Sequence, residues 1–117
     1  MNEMEITASS NGGAAWVRLK GEFDLGSAAD VERQLADLER ARPAVLVLDL
    51  RELRFIDSTG LRSILAADAR ARRDGRRLAI VPGPPVVHRV FRIALLDQRL
   101  EFVEDPASLE GVARVGD

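Results

Sequence analysis

The residues best suited to chemistry lie in the segment Phe55–Leu61, where an apolar pair is followed by three small polar residues, a glycine and a leucine. Asp, Ser and Thr are preferred helix caps, so the chain is expected to turn here and begin a helix. The Ser58 hydroxyl then stands at the helix N-terminus, where free backbone N–H groups and the helix dipole favour an added phosphate. On the residues alone, two interpretations remain open: a structural cap or a phosphorylation site.

Catalysis is not expected from this chain. A hydrolase needs a nucleophile with a base and an oxyanion site, but Ser58 lacks the Gly-x-Ser-x-Gly elbow and His88 is the only histidine. The chain has no cysteine, and one histidine with scattered carboxylates makes a poor metal site. The turn Gly83–Pro85 does not match a phosphate-cradling loop. The sequence therefore predicts a protein that is not an enzyme and binds no metal and no cofactor.

The composition is typical of an ordinary globular domain. The formal net charge is −2, 46% of the residues are hydrophobic, and only 4% are aromatic. Nucleic-acid binding relies on a basic surface and often on aromatic stacking, so no direct contact with nucleic acid is expected. No apolar run is long enough to span a membrane, and the start of the chain is acidic rather than a basic leader. We expect one cytoplasmic domain over residues 1–117.

The start of the chain predicts a β-hairpin. Apolar residues recur at every second position in two short runs, which are separated by an Asn-Gly-Gly turn at positions 11–13. The first run has one polar face and is expected to be an edge strand. The apolar positions are Met4, Ile6 and Ala8 in the first run, and Ala15, Val17 and Leu19 in the second.

Three helices are predicted from apolar residues spaced three and four apart. The first begins at Ser27, its expected cap, with Asp30 in the first turn, and stops before Pro43. The second follows Ser58 and ends at Gly75, and the third starts at two consecutive prolines, 84 and 85. The apolar positions are, in order, Ala28, Val31, Leu35 and Leu38; Leu61, Ile64, Leu65 and Ala69; and Val87, Val90, Phe91, Ala94 and Leu95.

Apolar runs between these helices predict buried strands. Ala44–Leu50 is almost continuously apolar, which is typical of a central parallel strand that is buried on both faces. The six residues after it are expected to form a connection that ends on a buried pair, Phe55 and Ile56. Leu78–Val81 predicts a second short buried strand.

The chain is expected to end with one more strand and one more helix. Leu100 and Phe102 fit the strand, and Asp105–Pro106 is expected to cap a helix that carries Leu109 and Val112. The predicted order is therefore β-β-α-β-α-β-α-β-α. A hairpin followed by alternating helices and strands implies an α/β fold, with a mixed, mostly parallel sheet packed against about four helices.

Three blocks of the sequence resemble the STAS-domain anti-sigma factor antagonists. The central block, Val47–Leu50 with Phe55–Leu61, is similar to the family's strand that leads into Asp-Ser-Ser/Thr-Gly-Leu at the head of a helix. Gly21–Asp24 resembles the family's Gly-Glu-Leu-Asp block, with Phe in place of Leu. Ala94–Asp97 and the segment after it resemble a late Gly-Leu-Asp-x-x-Phe-like block. The resemblance spans nearly the whole chain and implies a STAS fold.

The resemblance also implies a switch between protein partners. The family's phosphoacceptor is the serine directly after the Asp, which here is Ser58. The unphosphorylated domain is expected to bind an anti-sigma factor with a histidine-kinase-like ATPase fold and so release a sigma factor. That anti-sigma factor phosphorylates the serine, and a PP2C-type phosphatase reverses the reaction.

The same resemblance implies which residues meet the partner. Gly60 is expected to leave room for a partner's backbone, and Arg62 stands where the family often has a small residue. Thr59 is expected to be mainly structural, and Asp57 to act as a cap, a contact or both. The expected contact residues are Asp24, Asp57, Ser58, Thr59, Gly60 and Arg62.

Two other interpretations stay open at this point. A receiver-like domain would accept phosphate on Asp49 or Asp57. The chain opens with a hairpin, however, lacks an acidic pair after its first strand, and has no lysine after Lys20 to contact an acyl phosphate. Alternatively, a STAS domain can serve as a non-switching scaffold or as a regulatory subunit of a larger complex.

Overall fold

The computed structural model describes residues 4–105, and it confirms the predicted α/β fold. The chain forms one four-stranded sheet in the order β1-β2-β3-β4, in which only the opening hairpin is antiparallel. Three helices are described. The elements are β1 (Glu5–Asn11), β2 (Ala14–Phe23), α1 (Ala28–Glu39), β3 (Val45–Ile56), α2 (Ser58–Arg73), β4 (Arg77–Val81) and α3 (Pro85–Ile93).

The opening hairpin follows the alternating pattern of the sequence. Asn11 pairs with Ala14, so the turn between the strands has two residues, and Gly12 adopts a φ of 60° that glycine tolerates without strain. In β2 the predicted apolar positions are buried, and the positions between them point to the other face. β1 lies at the edge of the sheet as predicted, although Ala8 is exposed.

The hydrophobic core lies mainly on one face of the sheet. Alternate residues of β3, including Leu46 and Leu48, join residues of all three helices in a single large cluster. Val45 and Val47 point to the opposite face and form a smaller cluster, which Trp16 partly covers. The predicted burial of this strand on both faces is therefore confirmed over residues 45–50.

β3 is longer than the sequence pattern predicts. The residues after Leu50 were expected to form a connection, but they continue the strand alongside β2 as far as Ile56. The pairing shifts twice, and each shift inserts one extra residue in β3. These bulges place the buried residues Leu50, Leu53 and Ile56 three positions apart, which hides the two-residue period of a strand. Phe55 falls on the exposed side, so the prediction of a buried apolar pair is wrong.

The third helix is shorter than predicted. It ends at Ile93, and Leu95 adopts a φ of 60°, the left-handed conformation that closes many helices. The Leu96 N–H then donates to the Phe91 carbonyl at 2.8 Å, and Leu96 is buried. Ala94 and Leu95 were predicted to be buried, but both are exposed.

In α2, the buried alanines are Ala67 and Ala71, whereas Ala69, predicted to be buried, is exposed. Gly75 has a φ of 70° and ends the helix as expected.

After α3, the predicted strand at Leu100 and Phe102 is reduced to a single parallel bridge between Phe102 and Ile80. The predicted C-terminal helix with Leu109 and Val112 lies outside the described residues, and the single domain over 1–117 stays a prediction.

Candidate functional site

The head of α2 meets the loop between β2 and α1 at one edge of the sheet. β2 and β3 are parallel neighbours, and Phe23 and Ile56 lie side by side at their carboxyl ends. The Asp57 N–H donates to the Phe23 carbonyl at 3.2 Å, which ties the two chain segments together. The sheet thus brings together Asp24 and the Asp57–Arg62 segment, which are more than thirty residues apart in the sequence.

Asp57 is the N-cap of α2. Its backbone is extended, and its carboxylate oxygen Oδ1 accepts the N–H groups of Thr59 at 2.9 Å and Gly60 at 3.1 Å. Two of the free N–H groups in the first turn are thereby satisfied. The prediction of a capping role for Asp57 is confirmed.

Ser58 is the first residue of α2, and its side chain is exposed. Within residues 4–105 its hydroxyl makes no hydrogen bond, so the group is open to another molecule. Arg62 lies one turn further along the same helix and is also exposed, which puts a cation at the i+4 position relative to Ser58. Thr59 is half-buried.

Gly60 has a structural function that the sequence does not reveal. A Cβ added there would lie 2.7 Å from the Phe23 carbonyl oxygen and 2.8 Å from Cγ1 of Ile56. The space beside Gly60 is therefore filled by this chain itself. The expectation that a partner's backbone approaches on this side is wrong, because β2 passes too close to leave room for it.

Asp24 shapes the β2–α1 loop. Its carboxylate oxygen Oδ1 accepts the Gly26 N–H at 3.0 Å and the Ser27 N–H at 3.2 Å, and the side chain is half-buried. Ser27 occupies the N-cap position of α1 without capping it. Its buried hydroxyl instead donates to the Glu22 carbonyl at 2.8 Å, so the predicted side-chain cap is wrong.

Two exposed apolar side chains near the site escape the sequence analysis. Leu25 follows Asp24 in the loop and is 78% exposed, and Phe55, near the end of β3, is 47% exposed. The position of Leu25 in an otherwise polar four-residue turn is a signal that could have identified it as exposed. The bulges of β3 decide the orientation of Phe55, and no local pattern shows them.

Asp49 is the alternative phosphoacceptor, but it is 1% exposed and already bound. Its oxygens accept Nε of Arg51 at 3.0 Å and Nη2 of the same side chain at 2.8 Å, and Arg18 Nε lies 3.7 Å away. Burial pushes the pKa of Asp49 upward, but the hydrogen bonds and the charges of the two arginines together hold it below its ordinary value. This geometry favours a structural ion pair over an acceptor open to a phosphate donor.

The remaining candidate groups offer little chemistry. His88 is partly exposed, and its ring lies 4.8 Å from that of Phe102, centre to centre. Among residues 4–105, no cluster of three or more histidine and acidic side chains is arranged to hold a metal ion. None of the helices in this described range combines the length and apolar character needed to cross a membrane.

Comparison with known proteins identifies the family of this chain. A family model described as "Mlab, STAS domain" matches residues 6–104. The anti-sigma-F factor antagonist RsfB of Mycobacterium tuberculosis is 29% identical over 97 residues, covering 83% of this chain and 79% of that protein. An anti-sigma F factor antagonist of Paenibacillus polymyxa is 32% identical over 89 residues, covering 75% of this chain and 76% of that protein.

A solved structure shows the same fold. The crystal structure of an anti-sigma factor antagonist from Mycobacterium paratuberculosis superimposes with a TM-score of 0.84 at 20% identity, covering 96% of this chain and 95% of the other. The family match over residues 6–104 includes β2, β3 and the head of α2, which together build the site. The chain belongs to the STAS-domain family of anti-sigma factor antagonists.

Proposed function

We propose that this protein is an anti-sigma factor antagonist that works as a switch. Its unphosphorylated form binds an anti-sigma factor and thereby releases a sigma factor, and phosphorylation of Ser58 ends that binding. The observation that carries the proposal is the Ser58 hydroxyl, which is exposed at the head of α2 beside the β2–α1 loop. The names of the two relatives support the class of partner.

The proposed contact surface has a polar centre and apolar edges. Leu25 and Phe55 supply exposed apolar area on the two chain segments that flank the head of α2. Large apolar side chains exposed beside polar groups are typical of protein interfaces. The polar centre consists of Asp24, Asp57, Ser58, Thr59 and Arg62, and Gly60 is buried beneath it.

A phosphate on Ser58 acts mainly on the complex. It adds about 1.5 to 2 negative charges and three acceptor oxygens. In the free domain this charge lies in water at a helix N-terminus, which tolerates it without refolding. In the complex the same surface loses its water, and a dianion there without a matched cation costs several kcal/mol. Phosphorylation therefore weakens binding and leaves the domain folded.

In this proposal the chain supplies the hydroxyl, and its partners supply the catalytic groups. The carboxylate of the preceding residue, Asp57, is engaged by backbone N–H groups as a helix cap. The proposal therefore assigns phosphoryl transfer to the anti-sigma factor, with its histidine-kinase-like ATPase fold, and hydrolysis to a PP2C-type phosphatase. We place the protein in the cytoplasm, in contact with proteins and with neither nucleic acid nor membrane.

The experiment isolates the anti-sigma factor bound to this protein in its host and measures its affinity for four forms of the chain. Incubation with that partner and ATP is expected to add one phosphate, mapped by mass spectrometry to Ser58. Ser58→Ala is expected to bind as tightly as wild type. Phosphorylated wild type and Ser58→Asp are expected to bind about tenfold or more weakly, because a charge is buried at the contact. Modification of another residue, with Ser58 untouched, contradicts the proposal.

A matched pair of variants tests the position of the contact surface. Leu25→Ser at the site is expected to weaken binding, whereas Ile93→Ser, at the end of α3, is expected to leave it unchanged. The two side chains are almost equally exposed, at 78% and 73%, so neither change disturbs the core. A stronger effect at Ile93 than at Leu25 would place the contact on α3 instead.

A further inference from the structure

A cavity of about 720 Å³ opens where α1 and α2 end, on the side of the molecule away from Ser58. Its volume lies within the range of small-molecule sites, about 300–1,000 Å³. Most of its lining is charged, and five of the eight residues that line it are arginines. These are Arg40, Arg42, Arg70, Arg73 and Arg76, which we call the arginine cavity.

Positive charge exceeds negative charge in the arginine cavity. Only two carboxylates line it, those of Glu39 and Asp74, and Arg40 forms an ion pair with Asp37 at 3.3 Å, so two positive charges are left over. Glu39 is fully engaged, since its two oxygens accept Nε and Nη2 of Arg70 at 2.8 and 2.9 Å. This excess is notable in a chain whose formal net charge is −2.

Two of the arginines have N–H donors that form no hydrogen bond with residues 4–105. The Arg76 side chain is only 9% exposed, yet within the described residues it makes one hydrogen bond, from Nη2 to Asp74 at 3.1 Å. A guanidinium carries five N–H donors, so most of those of Arg76 remain for water or a ligand. Arg42 has no hydrogen bond or ion pair from its side chain to any residue from 4 to 105.

Helix dipoles explain only part of this arrangement. Arg70 and Arg73 lie in the last turn of α2, where cations are favoured by the negative end of the helix. Arg42 and Arg76 lie beyond the helix ends. Arg42 also has a φ of 50°, a left-handed conformation that is strained for any side chain and easy for glycine.

We propose that the arginine cavity binds a compact oxyanion of two or more negative charges, of the polyphosphate type. Guanidinium groups match phosphate oxygens in pairs of charge-assisted hydrogen bonds, and the ligand's charge balances the excess of the cavity. No aromatic side chain is among the residues that line it, so a nucleotide base finds no aromatic ring to stack on. The phosphate groups alone are recognised.

This site is separate from the proposed switch. Ser58 begins α2 and Arg73 ends it, and fifteen helical residues of about 1.5 Å rise place them roughly 22 Å apart. Binding in the arginine cavity therefore does not cover the surface around Ser58. Ser58→Ala is expected to bind the anion as well as wild type does, so the two proposals can fail independently.

The test measures binding of tripolyphosphate by calorimetry at low ionic strength. Wild type is expected to bind it with saturation at one site. Arg42→Gly is expected to weaken binding about tenfold, the effect of losing one charge-assisted contact. Glycine suits the backbone at this position, so this variant keeps its thermal midpoint, which a loss of folding would lower. Arg42→Gly with Arg73→Gln is expected to weaken binding further.

The control is Arg33→Gln, which removes the same charge from the exposed side of α1, where Arg33 pairs with Asp30 outside the cavity. It is expected to change the affinity less than twofold. An equal loss of affinity in Arg42→Gly and Arg33→Gln indicates general attraction to a positive surface and overturns the proposal. The absence of saturable binding also overturns it. ATP binding tenfold tighter than tripolyphosphate overturns the assigned ligand class.

Discussion

Three residues at the head of α2 have three different functions. The side chain of Asp57 caps the helix, that of Ser58 faces solvent, and Gly60 leaves room for the Phe23 carbonyl. Asp57 and Gly60 are committed to the fold, whereas the side chain of Ser58 is exposed. Variants at these positions are therefore expected to separate stability from partner binding.

Gly60→Ala is expected to lower the free energy of unfolding by about 1–3 kcal/mol, the usual cost of overpacking. The new Cβ would lie 2.7 Å from a backbone oxygen, and backbone cannot move aside as a flexible side chain can. Urea denaturation provides the measurement. Ser58→Ala, which also introduces alanine in the first turn of α2, is the control and is expected to change stability by less than about 0.5 kcal/mol. A Gly60→Ala chain as stable as wild type contradicts the close contact with Phe23.

At the scale of elements, α2 connects the candidate site to the rest of the fold. Its N-terminus is held by the Asp57 cap and by the backbone bond to β2. Near its other end, Arg70 is tied to Glu39 of α1 by two hydrogen bonds. The position of Ser58 therefore depends on contacts with β2 and α1 that are distant in sequence.

Asp57→Ala is expected to lower the free energy of unfolding by about 1 kcal/mol, because two N–H groups in the first turn lose their acceptor. Asp57→Ser, which retains a capping oxygen, is expected to recover most of this loss. Urea denaturation of both variants measures the effect. Equal stability of wild type and Asp57→Ala contradicts the capping role. A loss of phosphorylation much larger than the loss of stability would indicate that Asp57 also contacts the kinase.

At the scale of the whole molecule, residues 4–105 form a sheet with one face covered by helices and one face on which these residues place mainly side chains. On the second face, Asp49 is buried beneath Arg18 and Arg51. A charge buried in the sheet is stable only while it is paired, so this cluster links the stability of the entire fold to pH.

Asp49→Asn is expected to cost about 1–3 kcal/mol at pH 7, since the charge-assisted bonds with Arg51 are lost. The pKa of Asp49 in the folded state lies below its ordinary value of 3.8, so its stabilisation is complete above that pH and disappears as pH falls through the folded-state pKa. The difference in unfolding free energy between wild type and Asp49→Asn is therefore expected to shrink below about pH 4. Urea denaturation from pH 7 to pH 3 measures it, and a difference independent of pH contradicts the ion pair.

The sequence by itself determined the local features, because these depend on neighbouring residues. The two-residue glycine turn of the hairpin, the Asp57 cap and the end of α2 at Gly75 each follow from local hydrogen bonds and backbone preferences. The order of the elements from β1 to α3 also follows, since apolar periodicity shows which elements must pack together. The exposed Ser58 belongs to this group as well, because a residue at the start of a helix after a cap tends to face solvent.

Only the tertiary structure decided the features that depend on two distant segments. The bulges of β3 arise from its pairing with β2, and they turn Phe55 outward and extend the strand to Ile56. The need for glycine at position 60 comes from Phe23, which lies 37 residues earlier in the chain. The arginine cavity likewise forms only where the ends of α1 and α2 meet. In each case the feature depends on a contact between segments that are distant in the chain. Local sequence patterns do not show such contacts.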